Sequence, residues 1–315
     1  MVEKVISVLG LNWSTFSDKF FYDLSFLMNK LSYEPTKRSV LSSIATIFDP
    51  LGYLSPYIMY CKILFQDLWK FKLNWDDSLP IDIKNRYDSW LRSSESLKSY
   101  PVNRCFFPNY AWSELRDVQL HMFSDASTRG YGCSVYVRAK LPTDEYSVIL
   151  VCARSRVSPI KEVTLPKLEL LGAFIGSRLL NYVSNALNLN DCPQFCYSDS
   201  TITLDWINSN PLKKDVFVGN KIKEILKYTK ANQWYHCKGS ENPADLITRG
   251  LLGHELMNNE LWLYGPNWLS QGQYLPAYKP TEISESANPT EPSISLNVGK
   301  FMPFIDVNRF SCLIN

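Results

Sequence analysis

The chemistry this sequence offers rests on four acidic residues, each set in a short distinctive string. Asp125 closes Met122-Phe123-Ser124-Asp125-Ala126-Ser127, and Glu169 lies in Leu165-Pro166-Lys167-Leu168-Glu169-Leu170. Asp199 sits in Cys196-Tyr197-Ser198-Asp199-Ser200, and Asp245 in Glu241-Asn242-Pro243-Ala244-Asp245-Leu246. Singly, each has a local use: an acid in a first helical turn complements the helix dipole, and Asp at a strand-to-helix junction is a good N-cap. Gathered within a few ångströms they would repel one another unless cations lay between them. A hard divalent ion such as Mg²⁺ suits an all-oxygen environment. Two such ions ~4 Å apart form a device for hydrolysing a phosphodiester. Only three histidines occur in 315 residues, which leaves little material for His-based metal or triad chemistry.

Patterned runs of the chain predict the elements that must position these groups. Val118 to Phe123, Tyr131 to Val137 and Tyr146 to Arg154 read as successive strands, with turns at Thr128-Arg129-Gly130 and Leu141-Pro142-Thr143-Asp144. A long helix follows from Pro166 to about Leu187, then a short strand from Phe195 to Tyr197 and a helix at Thr201–Ile207. A Lys-rich helix within Val216–Tyr228, a strand at Gln233–Cys237 and a helix from Pro243 complete the region. Three meandering strands followed by alternating helices and strands predict a mixed sheet with helices on its faces. Strand ends and helix starts then converge on one sheet edge, where such folds place ligands. Upstream, Val5 to Trp13 is a β-rich run that can pair with Lys19 to Leu24. Helices are expected from Thr36 to Phe48 and from about Pro56 to Lys70, with a turn at Asp49-Pro50-Leu51-Gly52 between them, and a helical unit over 75–100.

Composition narrows the class. With 45% apolar and 20% charged residues the chain is globular, and a net charge of +2 names no partner. If nucleic acid is bound, the basic surface must be local. No apolar run approaches the ~20 residues needed to span a bilayer, so no membrane role is expected. Eight cysteines are too sparse for a disulfide scaffold and suit a reducing compartment.

The order of elements and the four acidic positions resemble a ribonuclease H domain, and more closely that of BEL/Pao-type retrotransposon polyproteins. The likeness is carried by Phe123-Ser124-Asp125-Ala126-Ser127, Thr164 to Leu170, Tyr197-Ser198-Asp199-Ser200, Phe217-Val218-Gly219-Asn220-Lys221 and Asn242 to Gly250. Upstream, Leu9-Gly10-Leu11-Asn12-Trp13, Lys37 to Leu41 and Phe48 to Gly52 look like the end of that family's reverse transcriptase. The resemblance implies an α/β fold: a ribonuclease H-like mixed five-stranded sheet with flanking helices, preceded by a mostly helical thumb or connection-like region with a primer-grip-like hairpin. It implies Asp125, Glu169, Asp199 and Asp245 as catalytic ligands of two Mg²⁺ ions, with Mn²⁺ as a substitute. Asp125 would bridge both ions, with Glu169 and Asp199 on one side and Asp245 on the other. The substrate implied is an RNA–DNA hybrid.

The family pattern is incomplete here. No Tyr-x-Asp-Asp motif and no Asp-Thr-Gly or Asp-Ser-Gly occurs, so no polymerase or peptidase active site is expected in this chain. A reverse transcriptase palm would precede Met1 or be supplied by another chain. The histidine that many ribonucleases H carry in the loop before the last Asp is missing, because His236 falls on a strand and reads as a core or edge residue. The expected division is a reverse-transcriptase remnant at 1–100, a connector at 101–116 and a ribonuclease H-like domain at 117–252. A docked aromatic extension at 253–278 and a disordered linker at 279–315, towards a missing integrase region, follow. Expected localisation is intracellular: cytoplasm, virus-like particle or nucleus.

Nucleic-acid contacts are expected from Lys213, Lys214, Lys221, Lys223, Lys238 and Arg249, whose positive charge would track phosphates with strong salt dependence. A solvated helix face is the plainer explanation of the same lysines. Ser127, Ser198 and Ser200 flank the acids and are candidates for phosphate contact. Cys192, Cys196 and Cys237 lack the second pair that a zinc site needs, and Trp206 and Trp234 read as core. Two alternatives to the enzyme remain: a catalytically silent nucleic-acid-binding remnant, and a structural partner of a separate polymerase.

Overall fold

A computed structural model describes residues 5–8, 11–100 and 102–271 of the chain. The expected linker at 279–315 and the last residues of the expected aromatic extension lie outside the described residues.

The amino-terminal region opens with β1 (Val5–Val8), β2 (Leu11–Ser14) and β3 (Lys19–Phe21). The run expected as one strand is two, paired antiparallel with Val8 opposite Leu11. With β4 (Val102–Asn103) they make an antiparallel sheet in chain order. Four helices intervene: α1 (Ser25–Asn29), α2 (Lys37–Thr46), α3 (Ser55–Asp67) and α4 (Ile81–Ser93). A reciprocal box starts α2, where Thr36 Oγ1 accepts from the Ser39 amide at 3.2 Å and Ser39 Oγ from the Thr36 amide at 2.8 Å. The helix expected to reach Lys70 leaves α geometry at Asp67 and tightens to a 3₁₀ turn, Leu68–Phe71, before Lys72 turns left-handed at φ 49°.

The second sheet is built from β5 (Arg116–Ala126), β6 (Gly130–Lys140), β7 (Tyr146–Val157), β8 (Gln194–Ser198) and β9 (Trp234–His236). Its order is β7-β6-β5-β8-β9; the first three strands are antiparallel, and β8 and β9 join in parallel. Helices α5 (Leu165–Ala186), α6 (Thr201–Asn208), α7 (Val216–Ile225), α8 (Pro243–Arg249), α9 (Gly253–Met257) and α10 (Glu260–Tyr264) flank it. Cys133 meets Gly176 of α5, whereas a side chain at the adjacent Gly132 would meet Ile247 of α8. Successive strand residues face opposite ways, so α5 and α8 cover opposite faces.

One hydrophobic core runs through both regions. The Ala153 amide of β7 donates to Leu51 O at 2.8 Å, and the Tyr53 hydroxyl donates to Leu150 O at 2.8 Å. From the other end, Trp262 of α10 is fully buried and its indole N–H donates to Tyr53 O at 2.9 Å. Gly250, at the end of α8, has φ +76°, and a Cβ there would sit 2.8 Å from Tyr60 Cα, so glycine is what lets α8 seat against α3. Among the described residues no helix is long and apolar enough to cross a membrane.

Candidate active site

Sheet register places the first two acids side by side. In the parallel pair β5–β8, Ser124 is opposite Ser198, so Asp125 and Asp199 are the next residues along each strand. The third acid comes from α5, which approaches β5 closely at Gly172: a Cβ on that residue would lie 2.9 Å from the Asp125 carbonyl oxygen. That approach carries Glu169, one turn earlier, over the strand end, where the Ala126 amide acts to lower its carboxyl. Carboxylate oxygens of Asp125, Glu169 and Asp199 lie within 4.8 Å of one another. Cys192, Cys196 and Cys237 form no comparable group among the described residues.

Burial and mutual repulsion act together on this trio. Burial, then the charges of Asp199 and Asp245, lift the Asp125 carboxyl to about 7 against the hydrogen bond from Thr248. Burial, then the charges of Asp125 and Asp199, lift Glu169 to about 9. Asp199 is raised too, chiefly by burial. Glu169 Oε2 and Asp199 Oδ1 are buried without any hydrogen-bond partner. A buried acceptor left unpaired costs about 1–3 kcal/mol, more when charged. Hard oxygen donors, a shared span below 5 Å and two orphaned oxygens fit a divalent cation such as Mg²⁺.

Asp245 stands beside this group and outside it. It occupies the first turn of α8, and its charge raises the other three, yet its carboxylate is ion-paired with Arg249 at 2.8 Å. Of the four expected ligands, the structure brings three together and holds the fourth at their edge. Arg249, expected on nucleic acid, spends its Nε on this pair while its side chain remains largely exposed.

Several groups at the site were not anticipated from sequence. Thr248 donates its hydroxyl to Asp125 Oδ2 in a short bond, and its spacing of three from Asp245 on a helix was the available signal. Asn242, fully buried, donates to Ser124 O at 3.0 Å and accepts the Ala244 amide at 3.1 Å, tying the start of α8 to β5. His236 is paired in register with Ser198, and its charge acts to lower Asp199, so this strand histidine neighbours the acids.

Other expected contacts have mixed placements. Lys213, Lys223 and Lys238 are exposed, and Lys214 is half-buried. Lys221 lies 3.9 Å over the Phe174 ring, and burial lowers its ammonium, so it is docked on α5. The three serines serve the backbone: Ser127 Oγ accepts the Arg129 amide at 3.1 Å, Ser198 Oγ accepts the Ser200 amide at 3.2 Å, and Ser200 caps α6. Trp234 is buried, its N–H on Thr229 Oγ1 at 3.0 Å, whereas Trp206 is only partly covered.

A family model described as a Pao retrotransposon-like RNaseH-like domain matches residues 36–200. That span contains Asp125, Glu169 and Asp199 and ends before Asp245. Among solved structures, the amino-terminal ribonuclease H domain of a Mycobacterium tuberculosis protein, fused to maltose-binding protein, is similar at 13% identity and a TM-score of 0.29. The likeness covers 45% of this chain and 94% of that one. A foamy viral protease–reverse transcriptase in complex with double-stranded DNA is similar at 12% identity and a TM-score of 0.42, over 76% of this chain and 38% of that one. No curated protein matches.

Proposed function

Because the chain belongs to the Pao retrotransposon family of RNaseH-like domains, we propose that it is a Mg²⁺-dependent ribonuclease that hydrolyses the RNA strand of RNA–DNA hybrids. The observation that carries this reading is the trio Asp125, Glu169 and Asp199, whose oxygens share a span of 4.8 Å and include two buried atoms with no partner. These three residues would hold the metal, with Asp245 completing the set from the edge. A bound pair of Mg²⁺ or Mn²⁺ ions supplies an activated water and neutralises charge on the leaving oxygen.

The chain's own groups prepare that chemistry. Thr248 fixes the Asp125 carboxylate, and Asn242 ties α8 to the strand that carries Asp125. Lys213, Lys214, Lys223, Lys238 and Arg249 would meet the phosphates of the hybrid, and Lys221 would add little because it is docked on Phe174. Hybrids are read by backbone shape and 2′-hydroxyls, so little sequence preference follows. In this reading the first hundred residues are a reverse-transcriptase thumb or connection-like region joined through 101–116 to the hydrolase, and a reverse transcriptase palm is a fitting partner. Such a protein would work in the cytoplasm, in a virus-like particle or in the nucleus.

The Arg249–Asp245 ion pair favours a second reading, a catalytically silent hybrid binder. A cleavage assay on a labelled hybrid separates the two. Mg²⁺-dependent cleavage that Asp199→Asn reduces more than about a hundredfold, beyond the effect of losing an outer-shell partner, supports the enzyme. Binding without cleavage by the wild-type chain establishes the silent binder.

A further inference from the structure

Between the amino-terminal helices and the end of α8 lies a cleft of about 320 Å³. Tyr60 and Ile63, three residues apart on α3, give it an apolar wall. Three guanidinium groups reach it from three elements: Arg86 from α4, Arg129 from the β5–β6 turn and Arg249 from the end of α8. We infer that this cleft is a phosphate-binding site, which takes a backbone phosphate of the bound nucleic acid close to the position of cleavage. The identity of that ligand rests on the hydrolase reading above; the oxyanion chemistry does not.

Charge supports an anion. Asp67 of α3 accepts Arg129 Nη2 at 2.6 Å, Lys70 Nζ at 3.0 Å and Arg86 Nη1 at 3.5 Å. One nearly buried carboxylate thus faces three cations, and Arg249 adds a fourth that is met by Asp245 alone. Among these groups four cations face two carboxylates. Asp67 therefore acts as a positioning residue: it aims two planar guanidiniums without cancelling them, and guanidinium is the side chain best matched to phosphate oxygens.

The turn that carries Arg129 is rigid, since the Ser127 amide donates to Gly130 O at 2.8 Å and the Arg129 amide to Ser127 Oγ at 3.1 Å. Location supports a nucleic-acid strand over a free anion. Thr248 lines the cleft and also donates to Asp125, so the cleft and the acidic trio share one wall. A strand crossing that wall would set one phosphate at the carboxylates and a neighbouring one among the arginines. The volume is at the small end of ligand sites, room for a sugar–phosphate unit against Tyr60 and not for a base pair.

Arg86→Gln tests this in the full chain, with Arg92→Gln, on the same helix and outside the cleft, as the charge-matched control. Hybrid binding is followed by fluorescence anisotropy with Ca²⁺ in place of Mg²⁺, across a range of salt. The expected result is that Arg86→Gln weakens binding by about tenfold, as for a lost charged hydrogen bond. It should also lower the slope of log affinity against log salt by about 0.9, one phosphate. Arg92→Gln should change neither. A second arm measures the rise in melting temperature caused by inorganic pyrophosphate, and reports on the cleft even if the chain binds no hybrid. A rise present in wild type and absent in Arg86→Gln supports the site. Wild-type affinity and slope in a folded Arg86→Gln, or no pyrophosphate response where the hybrid is not bound, overturns it. Loss of cleavage with hybrid binding and its Arg86 dependence intact would sink the hydrolase alone.

Discussion

Arg249 and Asp245 are joined one helical turn apart on α8, Nε to carboxylate at 2.8 Å, beside a group of acids that Asp245 does not join. The arginine is largely exposed, so the pair contributes at most about 1 kcal/mol to stability. Its effect on cations is larger. Removing a positive charge next to clustered carboxylates should strengthen their hold on a divalent ion, since a unit charge at ~4 Å is worth about 1 kcal/mol in water and more at a protein surface. Arg249→Ala is expected to tighten Mg²⁺ binding by about five- to tenfold, measured by titration calorimetry without substrate, while melting within ~2 °C of wild type. Weaker Mg²⁺ binding would show that Arg249 helps to assemble the site.

The acids predict an unusual pH profile for the metal-free chain. In the folded state Asp125 and Glu169 keep their protons up to about 7 and about 9, whereas their ordinary values are 3.8 and 4.5. Stability from this difference is complete below about pH 4 and is lost as pH rises through those folded-state values. Melting temperature without metal should therefore fall between about pH 5 and pH 9. The increase produced by Mg²⁺ should grow over the same interval, because the ion binds only the deprotonated carboxylates. Asp125→Asn should flatten both trends in calorimetric melts; identical profiles for the two proteins would contradict the assignment.

Gly172 sets the distance between α5 and the strand that bears Asp125. The Cβ of Gly172→Ala would stand 2.9 Å from a backbone oxygen, which cannot swing away as a side chain can. The helix must retreat and take Glu169 with it. The expected cost is about 1–3 kcal/mol of stability, with cleavage reduced by about a hundredfold, the size of effect a small misplacement produces. Denaturant melts and single-turnover cleavage measure the two separately.

Trp262 is fully buried and hydrogen-bonded at both ends, donating to Tyr53 O at 2.9 Å and accepting the Tyr136 hydroxyl on its carbonyl at 2.8 Å. Trp262→Ala is expected to destabilise the chain by about 3–5 kcal/mol. Chemical denaturation should display that loss in a single transition spanning both regions, whereas two separated transitions would mean that they fold independently.

Much of the site was legible because its geometry follows from local order. A strand run with Asp125 near its end, another that stops before Asp199, and a helix with Glu169 in its opening turns must meet at one sheet edge. What escaped depends on contacts between distant residues. The i,i+4 pairing of Arg249 with Asp245 is local, but spacing alone does not say whether Asp245 serves that pair or the metal. The grouping of Arg86 and Arg129 around Asp67 joins residues far apart in the chain, and no periodicity announces it. Nor does a two-residue strand such as Val102–Asn103 carry a pattern; it exists because β3 offers an edge. The change of composition near residue 101 reads as a boundary, yet Leu51, Tyr53 and Tyr60 pack across it.

The bond between Trp262 and Tyr53 spans 209 positions of the chain. During synthesis the early helices leave the ribosome long before the residue that seals them exists, and translation at roughly 5–20 residues per second makes that wait tens of seconds. Until α10 emerges, the Tyr53 carbonyl has the Tyr100 hydroxyl, at 3.3 Å, but not the Trp262 indole, and the apolar surface that Trp262 covers stays open. The nascent polypeptide thus reaches its native closure late, and the apolar surface exposed in that interval is of the kind that chaperones shield.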